Sequence, residues 1–341
     1  AEENILIEGV VTDNGDISLF QINGKDVPLM ADGTFSHRVT VAKGNKHYRL
    51  YAVDSENNST KKILKISGIT KKKPYREKPQ YDSASSRPSL WVLTIGVSKY
   101  SNPNLNLKYA DHDALSMEKI FKKLRKGIFS EVFTRTLVNE QATRGNILQA
   151  MSTHLGKAAP QDVVLIFVAG HGIKHTQTGS YYFLPHNADS RNLLFEGLKW
   201  SDFEEAIKII SKNVSKVILI LDTCHSGAIN IAMRGVRSGE DLGALMKEAT
   251  GLYVLSASKG GEPSVEGNRF RLPGENKGHG AFTYSILKGL SGEANYDKNS
   301  YLTIGELFSF VSVQVPRITR GQQHPYSKID GTDLPIVKFK K

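Results

Sequence analysis

Two residues stand where apolar runs end abruptly. The stretch VVLIFVAG, residues 163–170, leads into His171 and Gly172, and VILILD, residues 217–222, leads into Thr223 and Cys224. Cys224 is the sole cysteine among 341 residues. A thiolate is a strong nucleophile, and an imidazole within reach can take its proton and later return it to a leaving group. Such a pair needs help with the charge that develops on an attacked carbonyl oxygen. Backbone N–H groups supply it, and those of Gly172 and Cys224 are the natural donors. Gly170 and Gly172 flank the histidine and Gly227 follows the cysteine, where a backbone must come close to a ligand. Taken alone, Cys224 reads as a small buried hydrophobe. The conjunction with His171, 53 positions earlier and also at a strand end, favours a nucleophilic site. His225 is a weaker base, because side chains of adjacent residues at a strand end diverge.

That reasoning requires two neighbouring parallel strands. From Ser89 onward apolar strand-like runs alternate with helical patterns. LWVLTIGV is nearly continuous, as a sheet covered on both faces demands. A helix follows from about Asp111, with Ala114, Met117, Ile120, Phe121 and Leu124 on one face. EVFTRTLV, VVLIFVAG, VILILD, LYVLSAS and LPIVKF read as further strands; 143–156, 201–211, 280–290 and 303–315 read as helices. The alternation predicts a doubly wound, mostly parallel α/β sheet flanked by helices, with its site at the carboxyl ends of the strands.

Residues 1–68 have a different texture. Short apolar runs (ILIEGVV, ISLFQI, TFSHRVTVA, HYRLYAV, KKILKIS) are separated by turn signals such as DNGD, NGKD and ADGT. Phe35, His37, Val39 and Val41 fall on one face of a strand. A small all-β sandwich is expected. Residues 69–88 hold a basic run followed by SASSRPS and read as a linker to the larger domain at 89–341. The net charge of +11 is uneven: residues 61–88 hold nine basic and two acidic side chains. Charge gathered in a linker, rather than along a helix with interleaved aromatics, argues against a nucleic-acid reader. No apolar run is long enough to span a bilayer.

The pair FVAGHG and ILDTCHSG resembles the caspase-like cysteine peptidases, in particular the metacaspase and bacterial caspase-homologue branch. LTIGVSKY, LKYADHDA, YYFLP, LYVLSAS, GHGAFTYSILKGL and DLPIVKF extend the likeness over nearly all of 89–341. The N-terminal run ING…DGTFSHRVTVAKGN…YRLYAVDSENN resembles bacterial immunoglobulin-like modules, which implies a spacer or docking role. The resemblance implies a cysteine endopeptidase with a Cys224–His171 dyad and no cofactor. It also implies an S1 pocket lined by Asp222 and Asp113, selecting a peptide or protein substrate with Arg or Lys at P1. A carboxylate pair suits a guanidinium through charge-assisted bonds. Asp113 reads alternatively as a helix N-terminal charge, with Asp111 its rival, and Asp222 as a tie for the strand-end turn. Lys108 leaves an opening for acidic substrates. The loop IKHTQTGSYY after the histidine lacks the carboxylates that calcium would need, so no metal is expected there.

Residues 228–250 form a long segment holding Arg234 and Arg237, which read as candidate self-cleavage sites. Two other classes stay open: a catalytically silent adaptor, and a transpeptidase or ligase on the same fold. A start without Met and a surface-type β module favour an extracytoplasmic location.

Overall fold

The computed structural model describes residues 3–11, 17–29, 34–41, 45–67, 87–124, 127–175, 178–189, 191–223, 251–258 and 262–339. The chain divides into two compact units, 1–83 and 84–341.

The first unit is all antiparallel β. Its strands are β1 (Glu3–Val10), β2 (Ile17–Ile22), β3 (Lys25–Asp26), β4 (Thr34–Val41), β5 (Asn45–Asp54) and β6 (Ser59–Ser67). β1 pairs with β4, and a second sheet has the order β3-β2-β5-β6. Alternation puts Phe35 and Val39 inward from β4, and Phe20 and Ile22 inward from β2. The rings of Phe20 and Phe35 meet at 4.5 Å, so the two sheets share one small core.

The second unit is built on a six-stranded sheet. Along the chain come β7 (Leu90–Gly96), α1 (Ala110–Lys122), β8 (Val132–Val138), α2 (Arg144–Thr153) and β9 (Val163–Gly170). A small antiparallel sheet follows: β10 (Gly172–Lys174), β11 (Tyr181–Phe183) and, after the short α3 (Leu193–Glu196), β12 (Leu198–Lys199). Then come α4 (Trp200–Ser211), β13 (Lys216–Thr223), β14 (Leu252–Ser256), β15 (Glu266–Gly267), β16 (His279–Gly280) and α5 (Ala281–Lys288). The unit ends with β17 (Tyr301–Thr303), α6 (Ile304–Thr319), β18 (Tyr326–Asp330) and β19 (Pro335–Lys338). The main sheet has the order β18-β14-β13-β9-β7-β8. All its neighbours are parallel except β18, which runs antiparallel to β14.

Every residue of β9 is buried, because both faces of the sheet are covered. Val164, Ile166 and Val168 point to one face, against Ile147 and Met151 of α2 and Phe203 and Ile207 of α4. Val163, Leu165 and Phe167 point to the other, against Met117 and Phe121 of α1, Phe282 and Ile286 of α5, and Phe308 and Val311 of α6. This is the doubly wound α/β arrangement that the continuous apolar runs require. Gly96 lets α1 lie close to the sheet: a Cβ there would stand 2.2 Å from the Ala110 carbonyl oxygen.

Two details differ from the sequence reading. LPIVKF supplies a strand, but β19 pairs with β17 in a separate two-stranded sheet. The sixth strand of the main sheet is YSKID instead. Its central residues are exposed at the sheet edge, so it lacks the apolar run that marks a covered strand.

Candidate active site

The carboxyl ends of β9 and β13 lie side by side. In their parallel ladder Asp222 faces Ala169 and Thr223 faces Gly170. His171 is the next residue after Gly170. Cys224, His225, Arg234 and Arg237 lie outside the described residues. The end of β13 is anchored by Thr223, whose hydroxyl meets that of Tyr181 at 3.0 Å.

His171 is held by its neighbours on several sides, among them the Leu184 N–H, which its carbonyl accepts at 2.9 Å. The Tyr100 hydroxyl accepts its backbone N–H at 2.9 Å, and the Tyr100 ring lies 5.2 Å from the imidazole, tilted by 37°. The Leu105 carbonyl lies 2.8 Å from Nε2. A carbonyl only accepts, so Nε2 carries the ring proton and Nδ1 is the basic nitrogen of the neutral tautomer. Gly170 has φ +151°, and a Cβ there would press on Phe183 at 3.0 Å and the Tyr100 hydroxyl at 3.1 Å. Only glycine makes this bend before the histidine without strain. Gly172 opens β10 opposite Phe183 and is buried.

Asp113 and Asp222 are both buried, at 3% and 8% exposure. Asp113 does not cap its helix. Its Oδ1 lies 2.6 Å from His279 Nδ1, and its Oδ2 accepts the Gly280 N–H at 3.1 Å. Asp222 accepts the Thr283 hydroxyl of α5 at 2.6 Å, so its partner is a neighbouring helix rather than its own turn. A Cβ added to Gly280 would lie 3.0 Å from Asp222 Oδ2 and 3.3 Å from Asp113 Oδ2. The two carboxylates therefore converge over a backbone that carries no side chain. Burial, followed by the charge of Asp113, pushes the Asp222 carboxyl up to about 7. Burial also raises Asp113, against the opposing pull of His279.

Asp111 has a different task. It accepts the Ser98 hydroxyl at 2.9 Å and the Asn139 amide at 3.1 Å. Partial burial pushes its carboxyl up, but these bonds outweigh that and hold it below the ordinary carboxylate value. It ties α1 to the loops after β7 and β8. Lys108 gives its backbone N–H to Glu266 Oε1 at 3.3 Å. Burial and the charge of Asp113 raise the Glu266 carboxyl, with the Lys108 contact opposing.

Sequence reasoning missed His279, Glu275, Thr283 and Glu266 around the aspartates, and Tyr100 beneath the histidine. His279 sits in GHGAFTY, a segment already singled out, but nothing in its spacing separates it from the other nine histidines. Ligand atoms of His112, Asp113 and His279 lie within 4.8 Å of one another. Both His279 nitrogens already face carboxylates, and His112 Nδ1 donates to the Gly278 carbonyl at 3.0 Å. The group is thus a hydrogen-bonded charge cluster.

A mostly parallel sheet covered on both faces, with His171 at its carboxyl edge, is the frame of a caspase-like α/β domain. The family model for the caspase domain matches residues 89–333, and the chain belongs to that family. A second model, that of glucodextranase domain B, matches residues 1–68. Among solved structures, a protein of Geobacter sulfurreducens is similar at 16% identity and a TM-score of 0.50, covering 74% of this chain and 100% of its own. Caspase-1 of Spodoptera frugiperda has 12% identity and a TM-score of 0.49, covering 75% and 93%. A search of curated proteins gave no match.

Proposed function

We propose that the protein is a cysteine endopeptidase that cleaves after Arg or Lys. The observation that carries this reading is the convergence of Asp113 and Asp222 over Gly280, one strand position from the Thr223–Gly170 pair that precedes both Cys224 and His171. The converging oxygens of this buried carboxylate pair meet the Thr283 hydroxyl and the Gly280 N–H, and their negative charge suits an organic cation. Burial and the charge of Asp113 push the Asp222 carboxyl up to about 7, so it is partly protonated near neutral pH. A guanidinium or ammonium would replace that proton.

The chemistry runs in two halves. His171 Nδ1 takes the Cys224 thiol proton, and the thiolate adds to the carbonyl carbon of the P1 residue. The Gly172 and Cys224 N–H groups receive the oxyanion. The imidazolium protonates the departing amine as the C–N bond breaks, which leaves a thioester. Water, deprotonated by His171, then adds to the thioester carbonyl and releases the carboxylate product and the thiol. The Leu105 carbonyl, bonded to Nε2–H, favours the ring orientation and stabilises the imidazolium formed in each half. An amine in place of water would make the same acyl-enzyme a transpeptidase. The first unit we read as an immunoglobulin-like docking module.

The test is a fluorogenic panel with Arg, Lys and Asp at P1, run on the wild type and on Cys224→Ala. Cleavage after Arg and Lys by the wild type alone is expected. A preference for Asp, or activity that survives the loss of the thiol, overturns the reading. Intact masses of the two proteins after incubation test processing at Arg234 or Arg237. Fragments that end there are expected only with the thiol present.

A further inference from the structure

The geometry points to His279 as a positioning residue of the acidic pocket: its imidazole, clamped between Glu275 and Asp113, fixes the Asp113 carboxylate and keeps it charged for a P1 cation. The inference rests on the reading of Asp113 and Asp222 as the P1 pocket.

The argument begins with a proton count. His279 is fully buried. Its Nδ1 lies 2.6 Å from Asp113 Oδ1 and its Nε2 lies 2.8 Å from Glu275 Oε2. An ionised carboxylate only accepts, and a neutral imidazole has a single N–H. Two hydrogen bonds therefore require two protons among the three groups, which leaves the trio with one net negative charge. With both protons on the ring, the arrangement is an imidazolium between two carboxylates. Each bond is then charge-assisted, the stronger kind.

The two oxygens of Asp113 face different ways. Oδ1 meets His279, and Oδ2 meets the Gly280 N–H and the space shared with Asp222. The imidazolium thus neutralises Asp113 from behind and leaves its front oxygen turned toward the cation site. Without a cation behind it, a buried Asp113 beside a second buried carboxylate would take up a proton and go silent. The clamp is held from several sides. The His112 ring stacks on that of His279 at 4.5 Å and 18°. β15 pairs with β16 so that Glu266 faces Gly280. Two consecutive pairs, His112–Asp113 on α1 and His279–Gly280 on β16, interlock across the pocket floor.

Every charged group around the ring enters the pH response. α1 brings Asp113 and His112, the loop between β15 and β16 brings Glu275, β15 brings Glu266 and β13 brings Asp222. Lys277 and Asp111 form a looser ion pair at 4.0 Å. His279→Gln keeps a polar side chain but can supply no cation. Asp113 would then protonate at higher pH, and the acidic limb of kcat/KM would move to higher pH.

The experiment measures kcat and KM across pH on peptides with P1 Arg or its neutral isostere citrulline. It uses the wild type, His279→Gln and Glu275→Gln. The rate of Cys224 alkylation by iodoacetamide reports an intact nucleophile. For His279→Gln, a rise of about tenfold or more in KM for Arg is expected, with kcat and alkylation little changed and the preference for Arg over citrulline reduced. For Glu275→Gln a smaller rise is expected, because the ring retains Asp113. An unchanged KM, preference and pH profile in His279→Gln overturns the positioning role, even if the protein melts earlier. If that variant does not fold, Glu275→Gln decides: a raised KM for Arg supports the clamp and an unchanged one overturns it. A wild type that does not distinguish Arg from citrulline overturns the pocket reading itself.

Discussion

Asp113 and Asp222 are 109 positions apart in the chain, yet their Oδ2 atoms would stand 3.3 and 3.0 Å from a single methyl group built on Gly280. One carboxylate is delivered by the first turn of α1 and the other by the last turn-facing position of β13. The first depends on the close packing of α1 on β7 that Gly96 permits.

A methyl at Gly280 would fill the place where the carboxylates meet. The backbone there has φ −63° and ψ 141°, which any residue adopts, so Gly280→Ala tests space rather than strain. The variant should fold with a modestly lowered melting temperature, because the new Cβ lies 3.0 Å from a buried carboxylate oxygen that must shift. Steady-state kinetics should show KM for Arg substrates raised by on the order of tenfold with kcat retained. Wild-type KM would remove the cation site from Gly280.

Asp222 ties stability to pH. Its carboxyl titrates at about 7 in the folded protein against an ordinary value of 3.8. The folded state therefore holds an extra proton between these values, and its stability falls as pH rises through that window. Asp222→Asn removes this slope. Thermal melts should show the variant gaining on the wild type from pH 4 to pH 8, by on the order of a few kcal/mol at the upper end. A constant difference across pH would contradict the raised carboxyl. The same variant should lose most cleavage after Arg.

Tyr100→Phe removes the hydroxyl that accepts the His171 N–H. An inner backbone donor left unpaired costs about 1–3 kcal/mol. The expected outcome is a lower melting temperature and a drop in kcat on the order of tenfold, with KM for Arg substrates held. A drop in KM-linked binding alone would mean that Tyr100 serves the pocket rather than the imidazole.

A remote substitution provides the contrast. Thr303 accepts the Glu306 N–H at 3.2 Å while the Glu306 carboxylate accepts the Thr303 N–H at 2.9 Å, a reciprocal cap on α6. Thr303→Ala should cost about 1 kcal/mol. Chemical denaturation should register this while kcat/KM stays at the wild-type value.

The sheet was legible because its central strands are apolar on both sides, and the position of His171 follows from where VVLIFVAG stops. β18 was not legible, since an edge strand with solvent on its flank needs no apolar pattern. LPIVKF has the pattern, yet it serves a local pair with β17, so hydrophobicity marked the strand without marking its partner. The two aspartates were singled out through a family likeness, and no periodicity would have joined them. His279 illustrates the limit. Its partners lie 166 positions upstream in Asp113 and 4 positions upstream in Glu275, and only the folded chain makes them a unit.

β13 and β14 are direct neighbours inside the sheet, zipped at five ladder positions from Val217–Leu252 to Leu221–Ser256, although the chain travels from 224 to 251 between them. The ladder itself is what pairs the two strands. A scission there would yield two polypeptides that migrate separately under denaturing conditions and elute as one particle under native ones. The larger fragment would carry His171, Asp113 and Asp222; the smaller would carry Glu275, His279 and Gly280. The cut protein would thus be a complementation pair, with the cluster of Asp113, Asp222 and Gly280 completed across its seam.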